Sequence, residues 1–254
     1  FVSVAVWWLL FSIPILRRVA EPARTVEPDE STTGINLFVT PFRRMGETVR
    51  VLRTFKHAFL ILLAILIYND GIQTVIRMAT AYGTELKIPS SALTVAILIV
   101  QFVGIPFAFL FGMLADRIGA KRSVFLGLLA YTAISVIGFY MKTARDFYVL
   151  AFLVGMVQGG TQALSRSLFA SLIPAHKSGE FFGFYSVFEK FASIFGPLLF
   201  SITIATTGSS RNAILGVIIF FAVGAAILAR VNVEEGRQMA RDAERDLVRI
   251  NGGH

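Results

Sequence analysis

Seven apolar runs, at residues 1–16, 57–81, 91–114, 123–141, 147–172, 181–206 and 212–229, decide what this chain can become. Crossing the hydrocarbon of a bilayer takes about 20 mostly apolar residues in a helix. The last six runs are near that length. The first begins at Phe1 with no initiator Met and reads as the clipped end of a longer span. Each run has to be helical, because lipid offers no partner to an unpaired backbone N–H or C=O. Only 16% of the residues are charged, against about a quarter in soluble domains, so the bilayer is the expected solvent. No cysteine is present, which removes disulfides and thiolate ligands. The opening segment also lacks the basic leader and small-residue cleavage site of a signal peptide.

Turn residues separate the runs, as in "ELKIPSS", "KTARD", "IPAHKSGE" and "TGSSRN". The loops differ in charge from one side to the other. One side collects Arg17, Arg18, Arg24, Arg43, Arg44, Arg50, Arg53, Lys56, Arg117, Lys121, Arg122 and Lys177, and the basic residues of the tail. The other side holds only Lys87, Lys142, Arg145 and Arg211. The positive-inside rule puts the rich side, and the C-terminus, in the cytoplasm. Orientation accounts for the net charge of +8, and no nucleic-acid partner is expected.

Four segments follow. Residues 1–17 are the end of a preceding span, 18–56 a cytoplasmic linker, 57–230 a six-helix unit and 231–254 a cytoplasmic tail. The linker opens with the polar stretch "AEPARTVEPDESTTG". It then places Phe38, Phe42, Met45, Val49 and Leu52 at helical spacing, with Arg43, Arg44, Arg50 and Arg53 largely elsewhere around the turn. That pattern predicts an amphipathic helix on the inner leaflet. The tail alternates charge and reads as a soluble helix end.

Between the second and third spans of the six-helix unit lies "FGMLADRIGAKRS", Phe111 to Ser123, an unusually dense knot of charge. Its glycines suit a close helix approach at Gly112 and a sharp turn at Gly119. A carboxylate such as Asp116 at a helix end is stabilised by an arginine or by another helix's N-terminus. The basic residues suit anionic headgroups. Gly112, Leu114, Asp116, Arg117, Gly119 and Lys121 resemble the signature loop of the major facilitator superfamily; the sequence departs from it at Ala120, where Lys121 and Arg122 stand in. Three longer strings, "YNDGIQTVIRMATAYG", "QGGTQALSRSLFASLIP" and "GEFFGFYSVFEKFASIFGPLLF", resemble the branch named for the vacuolar amino-acid effluxer of fungal autophagy, which has bacterial members. The likeness covers most of residues 57–206. It implies an all-α membrane fold, a six-helix transporter half-bundle built as a 3+3 inverted repeat, preceded by the clipped end of the sixth helix. It also implies an N-terminal half as partner to this C-terminal one, and a bacterial inner (plasma) membrane. In the family's charge relay the loop aspartate pairs with an arginine, which implies a conformational latch between Asp116 and Arg166.

Polar side chains at membrane depth are costly and mark functional sites. In the span 57–81, Asn69, Gln73 and Arg77 form one stripe, with Asp70 beside it and Gly71 next in sequence. In 147–172, Gln158, Gln162 and Arg166 step along one face, while Gly155 and Gly159 form a small-xxx-small pair on an adjacent face. The resemblance makes both spans cavity-lining, so Asn69, Asp70, Gln73, Arg77, Gln158 and Gln162 are the expected substrate contacts. The bland alternative is an internal Asp70–Arg77 pair. Glu189 and Lys190 are a possible proton or ion-pair site, and Gly196–Pro197 predicts a kink.

Two function classes fit. One is a secondary transporter of a small polar solute, with amino acids the candidate class, working by alternating access. The other is a receptor or scaffold that kept the fold, a reading the deep polar residues disfavour. No enzyme, cofactor or metal site is expected: His57, His176 and His254 lie at loops or ends, no ligand cluster or nucleophile–base pair stands out, and there is no Walker loop.

Overall fold

The computed structural model describes residues 2–18 and 36–251, and the side chains of most of them. The chain divides into two units, residues 1–44 and 45–254. Within the first, α1 (Val2–Arg18) is a single apolar helix with Pro14 inside it. The linker 19–35 lies outside the described residues. Helix α2 spans Asn36–Thr54. The side chains of Phe38, Phe42, Arg43 and Arg44 lie outside the description.

Among the described residues, the second unit holds six spans long and apolar enough to cross a membrane. They are α3 (Lys56–Glu85), α4 (Ser90–Ile118), α5 (Ala120–Tyr140), α6 (Ala144–Ala170), the pair α7 (Ser178–Ala192) and α8 (Phe195–Thr207), and the pair α9 (Ser210–Gly216) and α10 (Ile218–Ala229). A short 3-10 turn, Ala175–Lys177, leads into α7, and α11 (Val233–Asn251) follows α10. No strand occurs among the described residues.

The pairing of these helices has the logic of an inverted repeat. Helix α3 pairs with α10 and with α7–α8; α6 pairs with α5 and with α4. Exchanging the first three spans for the last three carries one set of pairings onto the other. The two sides are not equally tight. Between α4 and α6 small residues let the backbones meet: a Cβ on Gly155 would fall 3.0 Å from the Val100 carbonyl, and one on Gly159 would fall 3.3 Å from Ala108 Cβ. Gly160 faces Phe111 more closely still. The matching seam of α3 with α7–α8 is interrupted instead. The span breaks at Ser193–Ile194, just before Gly196 and Pro197, and Gly196 sits against Thr74 and Asp70 of α3. Helix α3 runs on through Gly71, which makes room for Phe220 and Phe221 of α10.

The loops obey local chemistry. "KTARD" builds a capping box: the Asp146 amide donates to Thr143 Oγ1 and the Thr143 amide donates to Asp146 Oδ2 at 2.9 Å. The turn from α4 to α5 rests on Gly119, whose φ of +91° disfavours a residue with a Cβ.

Two expectations change in the second unit. The final turns of α2 do not lie free on a lipid surface: Leu52 is fully buried in the core, Phe55 packs edge-on to Phe181 at 6.1 Å, and the Thr48 hydroxyl donates to Glu180. An apolar stripe fits a protein groove as well as a bilayer, and here the groove takes it. Nor is α11 a free tail. Glu235 lies 3.1 Å from His57 Nε2, Glu244 accepts from the Ala175 amide at 2.7 Å, and Gly236 packs on Leu172. The helix therefore straps the ends of α3 and α6.

Candidate functional site

The seam between α3 and α6 carries two chambers. At the level of Ile65–Asn69 and Gln162–Arg166 it is polar and nearly closed, with about 10 Å³ of free volume. Its centre is the Glu189 carboxylate of α7. Arg166 of α6 donates to both oxygens, at 3.3 and 3.4 Å, and Asn69 of α3 donates to Oε1 at 3.0 Å. One carboxylate thus ties three helices. The Arg166 guanidinium also lies 5.7 Å from the Tyr185 ring centre, within cation–π range. Below, the Tyr68 hydroxyl donates to Ser165 Oγ at 2.5 Å, and Ser165 donates to the Thr161 carbonyl at 2.6 Å.

At the level of Thr74–Tyr82 and Phe147–Gln158 the same seam opens into a chamber of about 190 Å³. Its walls are apolar, with Met78, Val100 and Phe200 among them, and the amides of Gln101 and Gln158 are polar exceptions. Gln158 Oε1 is buried there without a hydrogen-bond partner. A buried amide oxygen costs free energy until something donates to it.

The residues singled out from the sequence distribute as follows. Asn69, Gln162, Arg166 and Glu189, expected in three separate roles, line one pocket. Gln158 lines the upper chamber instead, because four residues along α6 carry it about 6 Å, just over one helical turn, and out of the polar layer. Asp70 turns away from both chambers, toward α8. Gln73 is half-buried and lines neither. Arg77 and Lys190 are exposed and join no ion pair among the described residues, so α3 carries no Asp70–Arg77 bridge. Tyr68, Ser165 and Tyr185 complete the polar pocket without having been anticipated. The available signal was Tyr185 one helical turn before Glu189, and Tyr68 beside Asn69.

In the charge knot, Asp116 and Arg117 are exposed, and no ion pair joins Asp116 to Arg166 among the described residues. A Cβ on Gly112 would meet nothing within 4 Å, so the close approach expected there is not made inside this unit. Lys121 is not left for headgroups. Its ammonium donates to the Ala229 and Val231 carbonyls at 3.0 and 2.7 Å, where α10 ends. Cations favour that end of a helix, whose last carbonyls lack partners.

In the polar pocket a guanidinium and a carboxylate thus lie side by side, backed by an amide and a tyrosine ring. Comparison with known proteins agrees with a membrane transporter fold. The family described as "Vacuole effluxer Atg22 like" matches residues 1–241. An uncharacterized MFS-type transporter, YxiO, of Bacillus subtilis is 41% identical over 95% of this chain and 55% of its own length. Autophagy-related protein 22 of Kluyveromyces lactis is 26% identical over 94% of this chain and 52% of its own, and that of Yarrowia lipolytica 28% over 95% and 45%. The chain spans about half the length of these curated relatives. From the match over nearly its whole length, the chain belongs to the Atg22-like vacuole effluxer family, a branch of the major facilitator transporters with bacterial members.

Proposed function

We propose that this chain is the C-terminal half of a secondary transporter that moves a small zwitterionic solute of the amino-acid class by alternating access. Arg166 receives the solute's carboxylate, Glu189 its ammonium, and Asn69 and Gln162 fix its orientation. The observation that supports this most is the Arg166–Glu189–Asn69 cluster on three helices. A zwitterion offers the reciprocal pair of charges and can replace the ion pair without leaving either group unpaired. Gln158, above the polar layer, is positioned to meet the rest of the solute. The family's effluxer name supports outward movement, and the Bacillus relative supports a bacterial inner membrane. Release of Arg166 to the solute also frees the site for exchange of partners: in the opposite state, Arg166 passes to Asp116 and the loop of Gly112, Arg117, Gly119 and Lys121 moves with it.

The test is counterflow in proteoliposomes of the full-length protein, with an equimolar mixture of ¹⁴C-labelled L-amino acids. Wild-type protein preloaded with the unlabelled mixture should accumulate label, and Arg166→Gln or Glu189→Gln should abolish it. No accumulation by the wild type would refute the substrate class. Accumulation by both variants at the wild-type rate would refute the site.

A further inference from the structure

Asp70 sits apart from the pocket, in the middle of α3, and is 3% exposed. Its Oδ1 makes no hydrogen bond. The hydroxyl that could serve it, Thr74 Oγ1, donates to Asp70's own carbonyl at 2.7 Å. What faces the carboxylate is the first turn of α8, immediately after the break in that span. A Cβ on Gly196 would fall 2.9 Å from Oδ1, so the glycine is what lets the helix end come so near. The Gly196 N–H approaches the carboxylate and acts on it electrostatically. The next residue, Pro197, has no N–H to offer.

Among the described residues no cation is paired with Asp70. On its own helix Arg77 acts on it from two turns away, exposed, and Tyr68 is bonded to Ser165. Helices α8 and α10 carry no titratable residue. From α7, Glu189 is held by Arg166 and Asn69, and Lys190 is exposed. Helix α6 contributes that same Arg166 at this end of its span. Helix α5 has Tyr131 buried against Phe221 and Lys121 on the end of α10. Helix α4 has Asp116 and Arg117 exposed at its end, and the side chains of α11 described against α3 meet it at His57.

From this geometry we infer that Asp70 is the transporter's proton-binding site, and that its ionisation sets the break between α7 and α8. The donors around it are an N–H and a helix N-terminus, which attract a carboxylate and repel a metal cation. With the proton gone, the carboxylate holds the start of α8 against α3. With the proton on, that attraction is lost and the break is free to move. The seam of α3 with α7–α8 carries Glu189, so a proton taken up at Asp70 reaches the solute pocket through one helix. This rests on the transporter reading above, but its readouts need no solute.

The experiment uses the full-length protein with a single cysteine at Ser193, the cap of α7 beside the break; the present chain contributes no cysteine of its own. Between about pH 8 and pH 5, a window reached by buried carboxylates, two signals are followed: the infrared C=O stretch of protonated carboxyls and the rate of maleimide labelling. In the wild type both should change with pH, the labelling rate by about fivefold or more, the lower end of ordinary coupling between sites. Asp70→Asn should delete one component of the infrared band and fix labelling at its low-pH rate. A full band in Asp70→Asn, or labelling that still follows pH as in the wild type, overturns the inference. Should Asp70→Asn fail to fold, Asp70→Glu decides: the longer side chain should move the midpoint of both signals together, and unmoved midpoints overturn it. Failure of the Arg166–Glu189 reading would appear separately, as missing amino-acid counterflow, with both signals intact.

Discussion

Replacing Glu189 by Gln keeps its shape and removes its charge, which separates the pocket's role in binding from its role in folding. The Glu189 side chain is 19% exposed and that of Arg166 56%, so the pair is partly wet. Such pairs contribute only about 0–1 kcal/mol to stability. Glu189→Gln should therefore shift thermal unfolding little. A charged hydrogen bond to the solute is worth about 1.5–3 kcal/mol, so solute affinity should fall about 10- to 100-fold, read by equilibrium binding of the labelled amino-acid mixture. Arg166→Lys is the companion. It keeps the charge but not the planar guanidinium that lies on the Tyr185 ring while its Nη2 reaches Glu189, and should weaken binding nearly as much as loss of the group. Much of this pocket was legible in the sequence because ionisable and amide side chains at membrane depth are rare. What was not legible was their grouping. Asn69 and Asp70 are neighbours in sequence, yet they point about 100° apart around α3, one to Glu189 and one to Gly196. Ser165 carries no signal of its own, because small hydroxyls are ordinary in any membrane helix, and Tyr185 is marked by nothing but its place one turn before Glu189.

The contrast between two glycines tests how α4 is used. On its α6 side the helix is closed: a Cβ on Gly160 would strike Phe111 at Cβ and Cγ, the root of the side chain rather than its flexible end. Gly160→Ala should destabilise the unit by about 1–3 kcal/mol, the usual cost of overpacking, seen as a lower Tm in detergent. Gly112 stands in open space, so Gly112→Ala should leave the Tm unchanged. A loss of transport in Gly112→Ala with an unchanged Tm would then report a contact made outside this unit. The glycine pair at Gly155 and Gly159 was readable as a packing face because small residues four apart have few other uses in a membrane helix. The kink at Gly196–Pro197 was readable too, but not that the helix stops at Ser193, before either residue. The docking of α2 was hidden for a different reason: amphipathic spacing records that a face is buried, not what covers it.

The orientation of the molecule rests on charge, and its internal consistency rests on α11, so the two can be tested apart. Lys87, Lys142, Arg145 and Arg211 are the only basic residues on the poor side, while the knot, the α6–α7 turn and the tail are rich. The positive-inside rule then puts Ser90 outside, and His176 and Arg241 inside. The strap makes a second statement that does not depend on the rule. Glu235 meets His57, Glu244 accepts from the Ala175 amide, and Arg237 donates to Ser171 Oγ at 3.4 Å. These bonds join α11 to the ends of α3 and α6, so His176 and Arg241 must share one face whichever way the molecule inserts. Single cysteines at Ser90, His176 and Arg241, all exposed, read both points in intact cells. A membrane-impermeant maleimide added outside should label only Ser90→Cys. If it labels His176→Cys and Arg241→Cys but not Ser90→Cys, the orientation is reversed and the strap stands. If His176→Cys and Arg241→Cys respond from opposite sides, α11 does not cross the ends of α3 and α6, and the packing described for the tail fails with it.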